Sequence, residues 1–248
     1  MKLSVVIPAY NEEASLPATV EGVVSELDEA GIDHEVLIVD DASEDDTERI
    51  GRELAGRFPT VRYMPSDFER GFGYCVRSGL AHYEGDAVTI FMADQSDDPA
   101  DLVKYFNLLQ SGADCVFGSR FISGSKVTGY PALKRVINRA ANLFIRLLFL
   151  HGYNDTTNAF KAYRREVIDT VAPLVSNHFN LTVELPLKAV VRGYDFEVVP
   201  INWSGRTKGT SKLSMREMGS RYGFIVLYVW LEKHLSRGDY LKASPPGR

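Results

Sequence analysis

Apolar residues in the first half of the chain fall into short unbroken runs that alternate with stretches of helical spacing. Residues 3–7, 35–39, 61–64, 87–92 and 114–118 each read as a buried strand bounded by polar or turn residues. Residues 12–30 carry Leu16, Val20, Val23, Val24 and Leu27 at helical spacing and stop at Gly31. Further helices are predicted over 47–58 (with Ser43 and Asp46 at its start), from the glycine-bearing loop 69–73 to about Tyr83, and over 99–111. Strands alternating with helices predict an α/β domain with a mostly parallel sheet. Ligands of such sheets bind beyond the carboxyl ends of the strands.

The second half has a different pattern. Residues 134–150 predict a basic amphipathic helix, with Lys134, Arg135, Arg139 and Arg146 set among Val136, Ile137, Leu143, Phe144 and Ile145. It reads either as a packing helix with snorkelling bases or as a helix lying on lipid headgroups. A loop at 154–158, a short strand at 160–163, a helix from Arg164, a helix over 182–192 and a strand over 196–200 follow. A basic loop, 204–212, holds Arg206, Lys208 and Lys212. The longest apolar run, 223–231, falls short of the roughly 20 residues that a bilayer demands. It reads as a packing or interfacial helix. The first run is too short for a signal-peptide core. A soluble or peripheral chain in the cytoplasm is expected.

Composition narrows the class. The chain has 248 residues, 45% hydrophobic and 25% charged, which excludes a disordered, collagenous or disulfide-framework protein. At about 150 residues per domain, one or two domains are expected. The net charge of -5, from 28 Lys and Arg against 33 Asp and Glu, argues against a nucleic-acid partner. Cys75 and Cys115 form no metal or redox spacing, so a reducing compartment is the default.

The loops after the strands carry the candidate chemistry. Pro8, Tyr10 and Glu12 follow the first strand, Asp40 and Asp41 the second, Asp94, Gln95 and Asp97 the fourth, and Arg120 the fifth. One acidic loop would be a solvated surface. Three on one rim suggest a divalent cation, Mg or Mn, with a phosphorylated ligand. Ser43 and Asp98 read as helix caps, the other aspartates as ligand-bearing.

Residues 5–13 (VVIPAYNEE) and 38–43 (IVDDAS) resemble the opening motifs of family 2 glycosyltransferases. More narrowly, the chain is similar to polyprenyl-phosphate (dolichol-phosphate-type) mannosyl- and glucosyltransferases. Supporting motifs lie at 71–79, 94–99, 118–121, 154–165 and 209–213. The resemblance spans roughly residues 3–220. It implies a GT-A fold: a Rossmann-like open sheet with helices on both faces and a C-terminal acceptor-binding extension, divided as a catalytic domain at 1–220 and an amphipathic helix and tail at 221–248.

The resemblance also implies a nucleotide-diphosphate sugar donor, Mg or Mn, and a polyprenyl phosphate acceptor, with inversion at the anomeric carbon. Pro8, Tyr10, Glu12, Asp40, Asp41 and Asp94 would bind the nucleotide sugar. Asp155 and Arg120 would be catalytic, the alternative for Asp155 being a local Asx turn. Arg120, Arg135, Arg139, Arg206, Lys208 and Lys212 would hold the acceptor phosphate. The family's Asp-x-Asp metal motif is altered here. Aligned on Pro99, Ala93 and Gln95 stand where the two aspartates would be. Either Asp94, Gln95 and Asp97 share the ligand role, or the metal site is weakened and the chain is slow or only binds. Some relatives carry membrane spans beyond the catalytic domain. Peripheral attachment at the cytoplasmic face of a membrane is expected here, with a membrane partner subunit as the alternative.

Overall fold

The β-branched run near the N-terminus becomes an inner strand of a seven-stranded sheet. β1 (Leu3–Ala9) is buried along its whole length between two parallel neighbours, β2 (His34–Asp40) and β4 (Ala87–Ile90). β3 (Val61–Pro65) pairs outside β2, and β8 (Phe196–Pro200) outside β5 (Cys115–Ser119), both in parallel. Between β4 and β5 lies β7 (Lys161–Arg164), antiparallel to both. The order is β3-β2-β1-β4-β7-β5-β8. The structure, a computed structural model, describes residues 1–205 and 215–242, with only the backbone of 215–218. The expected phosphate ligands Arg206, Lys208 and Lys212 lie outside the described residues.

Strand alternation sends side chains to two cores. Leu3, Val5 and Ile7 of β1 join the core formed with α1 (Leu16–Glu29), α2 (Thr47–Arg57) and α4 (Ala100–Gln110). Val6 faces the opposite core with α3 (Phe72–His82), α6 (Arg165–Val171) and α7 (Leu181–Val191). Each fully buried Val, Leu or Ile contributes about 1.5–3 kcal/mol. Cys75 and Cys115 are buried and free, and burial pushes both thiols well above their ordinary pKa. The Cys75 thiol donates to the Val39 carbonyl at 3.2 Å.

The second half builds a cover at the carboxyl rim. β6 (Lys126–Thr128) and β9 (Asn202–Ser204) form a small separate parallel sheet. Neither strand is foreseen from the sequence, since three residues are too few to show a period. α5 (Ala132–Phe149) and α8 (Met215–Leu235) share a third core with α7, through Ile145, Phe149, Val183, Leu187, Ile225 and Val229. The expected domain boundary at residue 220 falls inside α8, which runs unbroken across it. α5 leaves Leu133, Val136, Ile137, Leu143, Phe144 and Leu147 exposed, Leu133 by 72%. Among the described residues no helix is long and apolar enough to cross a membrane.

The loop before α7 is laid directly over the start of α3. A Cβ on Gly73 would lie 2.4 Å from the Ser176 carbonyl oxygen and 2.7 Å from the His178 nitrogen. Both are backbone atoms and cannot swing aside. Gly73→Ala is therefore expected to cost about 1–3 kcal/mol, read as a fall of several degrees in the thermal midpoint. An unchanged midpoint would mean that the 172–180 loop yields freely.

Candidate active site

The first three strand ends form a hydrogen-bonded lattice. Asp40 accepts the Ser43 N–H at 3.0 Å and the Tyr63 hydroxyl at 2.8 Å. Both Asp41 oxygens accept the Gly71 N–H, at 2.8 and 3.0 Å, tying the second strand end to the start of α3. Burial raises the Asp41 pKa against that bond. Tyr10 lies under the Arg70 guanidinium, 4.1 Å from the ring centroid, and Arg70 reaches Glu44 at 3.6 Å. Glu12 accepts the Ser15 hydroxyl at 2.8 Å, and its N–H donates to Thr47 Oγ1. Pro8 is buried within β1 itself, opposite Val39.

These details change two expectations. Ser43 does not cap α2. Its hydroxyl accepts the Asn11 N–H, and Asp45 accepts the Thr47 N–H instead, because the chain turns at Ala42 with φ 58° before the helix begins. Nor is Asp98 the cap of α4, since Pro99 takes that position; Asp98 stands one residue earlier and accepts the Ala100 N–H at 3.1 Å. Arg70 and Tyr63 escaped sequence reasoning. Arg70 stands inside the glycine-bearing loop, where a lone basic residue carries no period.

The loop after β4 holds the acidic pair. Ala93 is packed into the first core, and its carbonyl accepts the Thr19 hydroxyl. Ligands for a cation must therefore come from later in the loop. Asp94 is half-buried and accepts the Ser96 N–H at 3.1 Å. Gln95 is exposed at φ 60°, at the tip of the turn. Asp97 is buried, and its Oδ1 has no hydrogen-bond donor. Burial first, and the Asp94 charge second, push its pKa up to about 7, with Arg120 opposing. A cation would satisfy both the orphaned oxygen and the paired negative charge.

Among the described residues no group of three or more His, Cys, Asp or Glu side chains is placed to hold a metal. Asp94 and Asp97 suit Mg or Mn as one or two carboxylates completed by substrate phosphates and water. Of the three residues expected to share the ligand role, Gln95 is the most exposed, at the tip of the turn between the two aspartates.

At the fifth strand end, Arg120 and Asp155 are one unit. Nε and Nη2 of Arg120 donate to Asp155 Oδ2 and Oδ1 at 2.8 and 2.7 Å, and the Arg120 backbone N–H donates to Oδ2 at 3.0 Å. Asp155 is fully buried and Arg120 nearly so. The rings of Tyr130, Phe121 and Trp203 stand 5.3–5.6 Å from the guanidinium. The two residues expected to be catalytic, one of them also an acceptor-phosphate ligand, are thus brought together as an ion pair. Each neutralises the other, and Asp155 takes two of the five guanidinium donors. The Asx-turn alternative for Asp155 also falls, since its side chain is spent on Arg120.

The rest of the cover is sewn to this unit. Ser119 donates to Asn154 at 2.6 Å, and Thr157 bonds Asn138 and Asn142 of α5. β9 is stitched to the acidic loop by Ser204 to Ser96 and by Asn202 to Asp98 and Asp101. Arg139 lies 5.5 Å from the centroid of the Phe121 ring, which Arg120 also approaches. Arg135 is exposed on the first turns of α5. Asn138 and Asn142 were missed. Their only signal was two amides on the predicted amphipathic helix.

Comparison with known proteins gives a consistent picture. The family described as Glycosyl transferase family 2 matches residues 4–172. The chain is 32% identical over 216 residues to the polyprenol monophosphomannose synthase of Mycolicibacterium smegmatis, covering 85% of this chain and 80% of that protein. It is 31% identical over 219 residues to the dolichol-phosphate mannosyltransferase of Pyrococcus furiosus, covering 86% of this chain and 59% of that protein. The crystal structure of glucosyl-3-phosphoglycerate synthase from Mycobacterium tuberculosis with Mn2+, UDP and glucosyl-3-phosphoglycerate superposes with a TM-score of 0.69, over 94% of this chain and 79% of that one. At 21% identity that likeness is one of fold, and the shared fold is GT-A.

Two outcomes follow from the buried charges. Arg120→Met and Asp155→Asn each leave an unpaired buried partner and should cost about 3–5 kcal/mol in chemical denaturation, with the double variant recovering part of it. Additive losses would show that the pair is not coupled. Asp97 keeps its proton to about pH 7 in the fold but loses it near its ordinary value, 3.8, once unfolded. Its contribution to stability is thus present at low pH and lost as pH rises from about 4 to 7. Asp97→Asn should match wild type near pH 4 and melt higher above pH 7. Parallel melting curves at both pH values would refute the assignment.

Proposed function

Since the chain belongs to glycosyl transferase family 2, we propose that it transfers a hexose, with inversion, from a nucleotide-diphosphate sugar to a polyprenyl phosphate at the cytoplasmic face of a membrane. The observation that carries the acceptor class is α5. Its exposed Leu133, Val136, Ile137, Phe144 and Leu147 share a helix with Lys134, Arg135, Arg139 and Arg146, and Asn138 and Asn142 bind it to the loop bearing Asp155. An apolar and basic surface suits a lipid chain ending in a phosphate. A soluble neutral acceptor would call for neither. The two relatives are named for polyprenol and dolichol phosphate chemistry, which supports the same reading.

Tyr10, Arg70, Asp40 and Asp41 surround the place for the nucleotide, with Tyr10 offering a flat ring to a base. Asp94 and Asp97 would hold Mg or Mn, which when bound neutralises the diphosphate of the donor. An oxygen of the acceptor phosphate forms the new bond to the anomeric carbon as the bond to the nucleoside diphosphate breaks. That oxygen is already anionic near neutral pH, since a phosphate monoester has a second pKa of about 6. No strong base is needed. The residues instead hold two anions together: Arg139 and Arg135 approach the acceptor from α5, and the Arg120–Asp155 fork fixes the wall between them.

The test is incubation with radiolabelled GDP-mannose, UDP-glucose or UDP-N-acetylglucosamine, a polyprenyl phosphate and Mn or Mg. Label is expected in the organic phase with one of these donors. No labelled lipid with any of them, alongside a nucleotide-induced rise in melting temperature, would overturn the reading in favour of a binding protein. Arg139→Ala is expected to raise the acceptor KM several-fold and leave the donor KM unchanged.

A further inference from the structure

The Lys161 ammonium takes no part in the chemistry above, yet it is buried beside it, at 1% exposure. β7 runs antiparallel, so its first residue lies at the carboxyl rim. Lys161 Nζ donates to the backbone carbonyls of Thr156 at 3.0 Å, of Asn158, and of Thr182 at 3.2 Å. An ammonium has three donors and no acceptor, so all three are used. Thr156 and Asn158 belong to the loop that carries Asp155. Thr182 lies in the first turn of α7, and Pro186 stands four residues later inside that helix. Proline has no N–H, so the Thr182 carbonyl has no helical donor. Lys161 supplies it.

We propose that Lys161 is a positioning residue for transfer: it clamps the Asp155 loop to α7 through the carbonyl that Pro186 leaves without a donor, and so holds the Asp155–Arg120 fork in place. The groups facing it are Asp155 and the Tyr153 ring from the preceding loop, Arg120 after β5 and Asp97 after β4. Burial pushes its pKa from 10.5 down to about 7, with Asp155 opposing and Arg120 adding to the fall. A neutral amine has only two donors, and its lone pair would face a carbonyl. The clamp therefore weakens as pH rises through 7. The unfolded chain still holds the proton there, so this group's contribution to stability rises with pH over the same window, from about 7 to 10.5. Activity and stability should thus move in opposite directions.

Lys161→Met and Lys161→Arg separate charge from packing. Lys161→Met is expected to lower kcat on the order of a hundredfold, as misplacement near a reacting centre does, with both KM values nearly unchanged. Lys161→Arg keeps the charge at every pH. It should recover most of kcat and lose the wild type's decline above pH 7. In hydrogen exchange, the Arg120 and Asn158 amides, which donate to Asp155, should lose protection in Lys161→Met and keep it in Lys161→Arg, with β1 unaffected. Wild-type kcat and protection in Lys161→Met would overturn the proposal. So would an identical alkaline decline in Lys161→Arg, which decides the matter if Lys161→Met does not fold. The kinetic arm rests on the transferase reading. Failure of wild type to label lipid refutes that reading, while the exchange result still decides the clamp.

Discussion

A carboxylate taken out of water must be met by charge and hydrogen bonds, or the fold gives up several kcal/mol. Asp155 is that group here, and the carboxyl rim is arranged around it. Arg120 answers it with two side-chain donors and one backbone donor. Ser119 and Asn154 fix the strand end and the loop on either side of the contact. Thr157 extends the same loop to α5 through Asn138 and Asn142. Replacing such a pair by apolar packing would often be no less stable. Its consequence is directional: a fork with both oxygens engaged has one orientation, which an apolar contact would not impose.

The net charge conceals this division. Acids gather where the early strands end, at Asp40, Asp41, Asp94 and Asp97, while bases stand on α5. Arg120 and Asp155 belong to neither set, and in their buried pair an acid and a base cancel each other. Within the acidic loop, burial and the neighbouring Asp94 charge keep the Asp97 proton in place up to about pH 7. The small sheet of β6 and β9 is what keeps this loop and the pair in register, because β9 is bonded to the acidic loop and carries Trp203 to the Arg120 ring cluster.

Much of this was legible in the residues. The five strands of the first half follow from unbroken apolar runs, and all are found, with β4 ending two residues early where the chain turns toward Ala93. The strand-end loops bearing Tyr10, Asp40, Asp94 and Arg120 were legible for the same reason. What could not be read was partnership. Asp155 and Arg120 are 35 residues apart and look like two tools, whereas burial makes them one. Lys161 lay inside a motif and gave no sign that its charge ends on carbonyls. The turn at Ala42 moved Ser43 away from α2, a backbone choice that no side-chain period records. The helix through residue 220 was hidden because its apolar residues cluster only after Gly223.

Both native thiols sit in the cores on β5 and α3, and burial disfavours their reactive thiolate form. Alkylating reagents at neutral pH should find little to modify in the folded protein. A single cysteine introduced on the exposed face of α5, at Leu147 for instance, would then be the one reactive position without removal of the native pair. The chain is thereby ready for a site-specific fluorophore or spin label that reports directly on what that face meets.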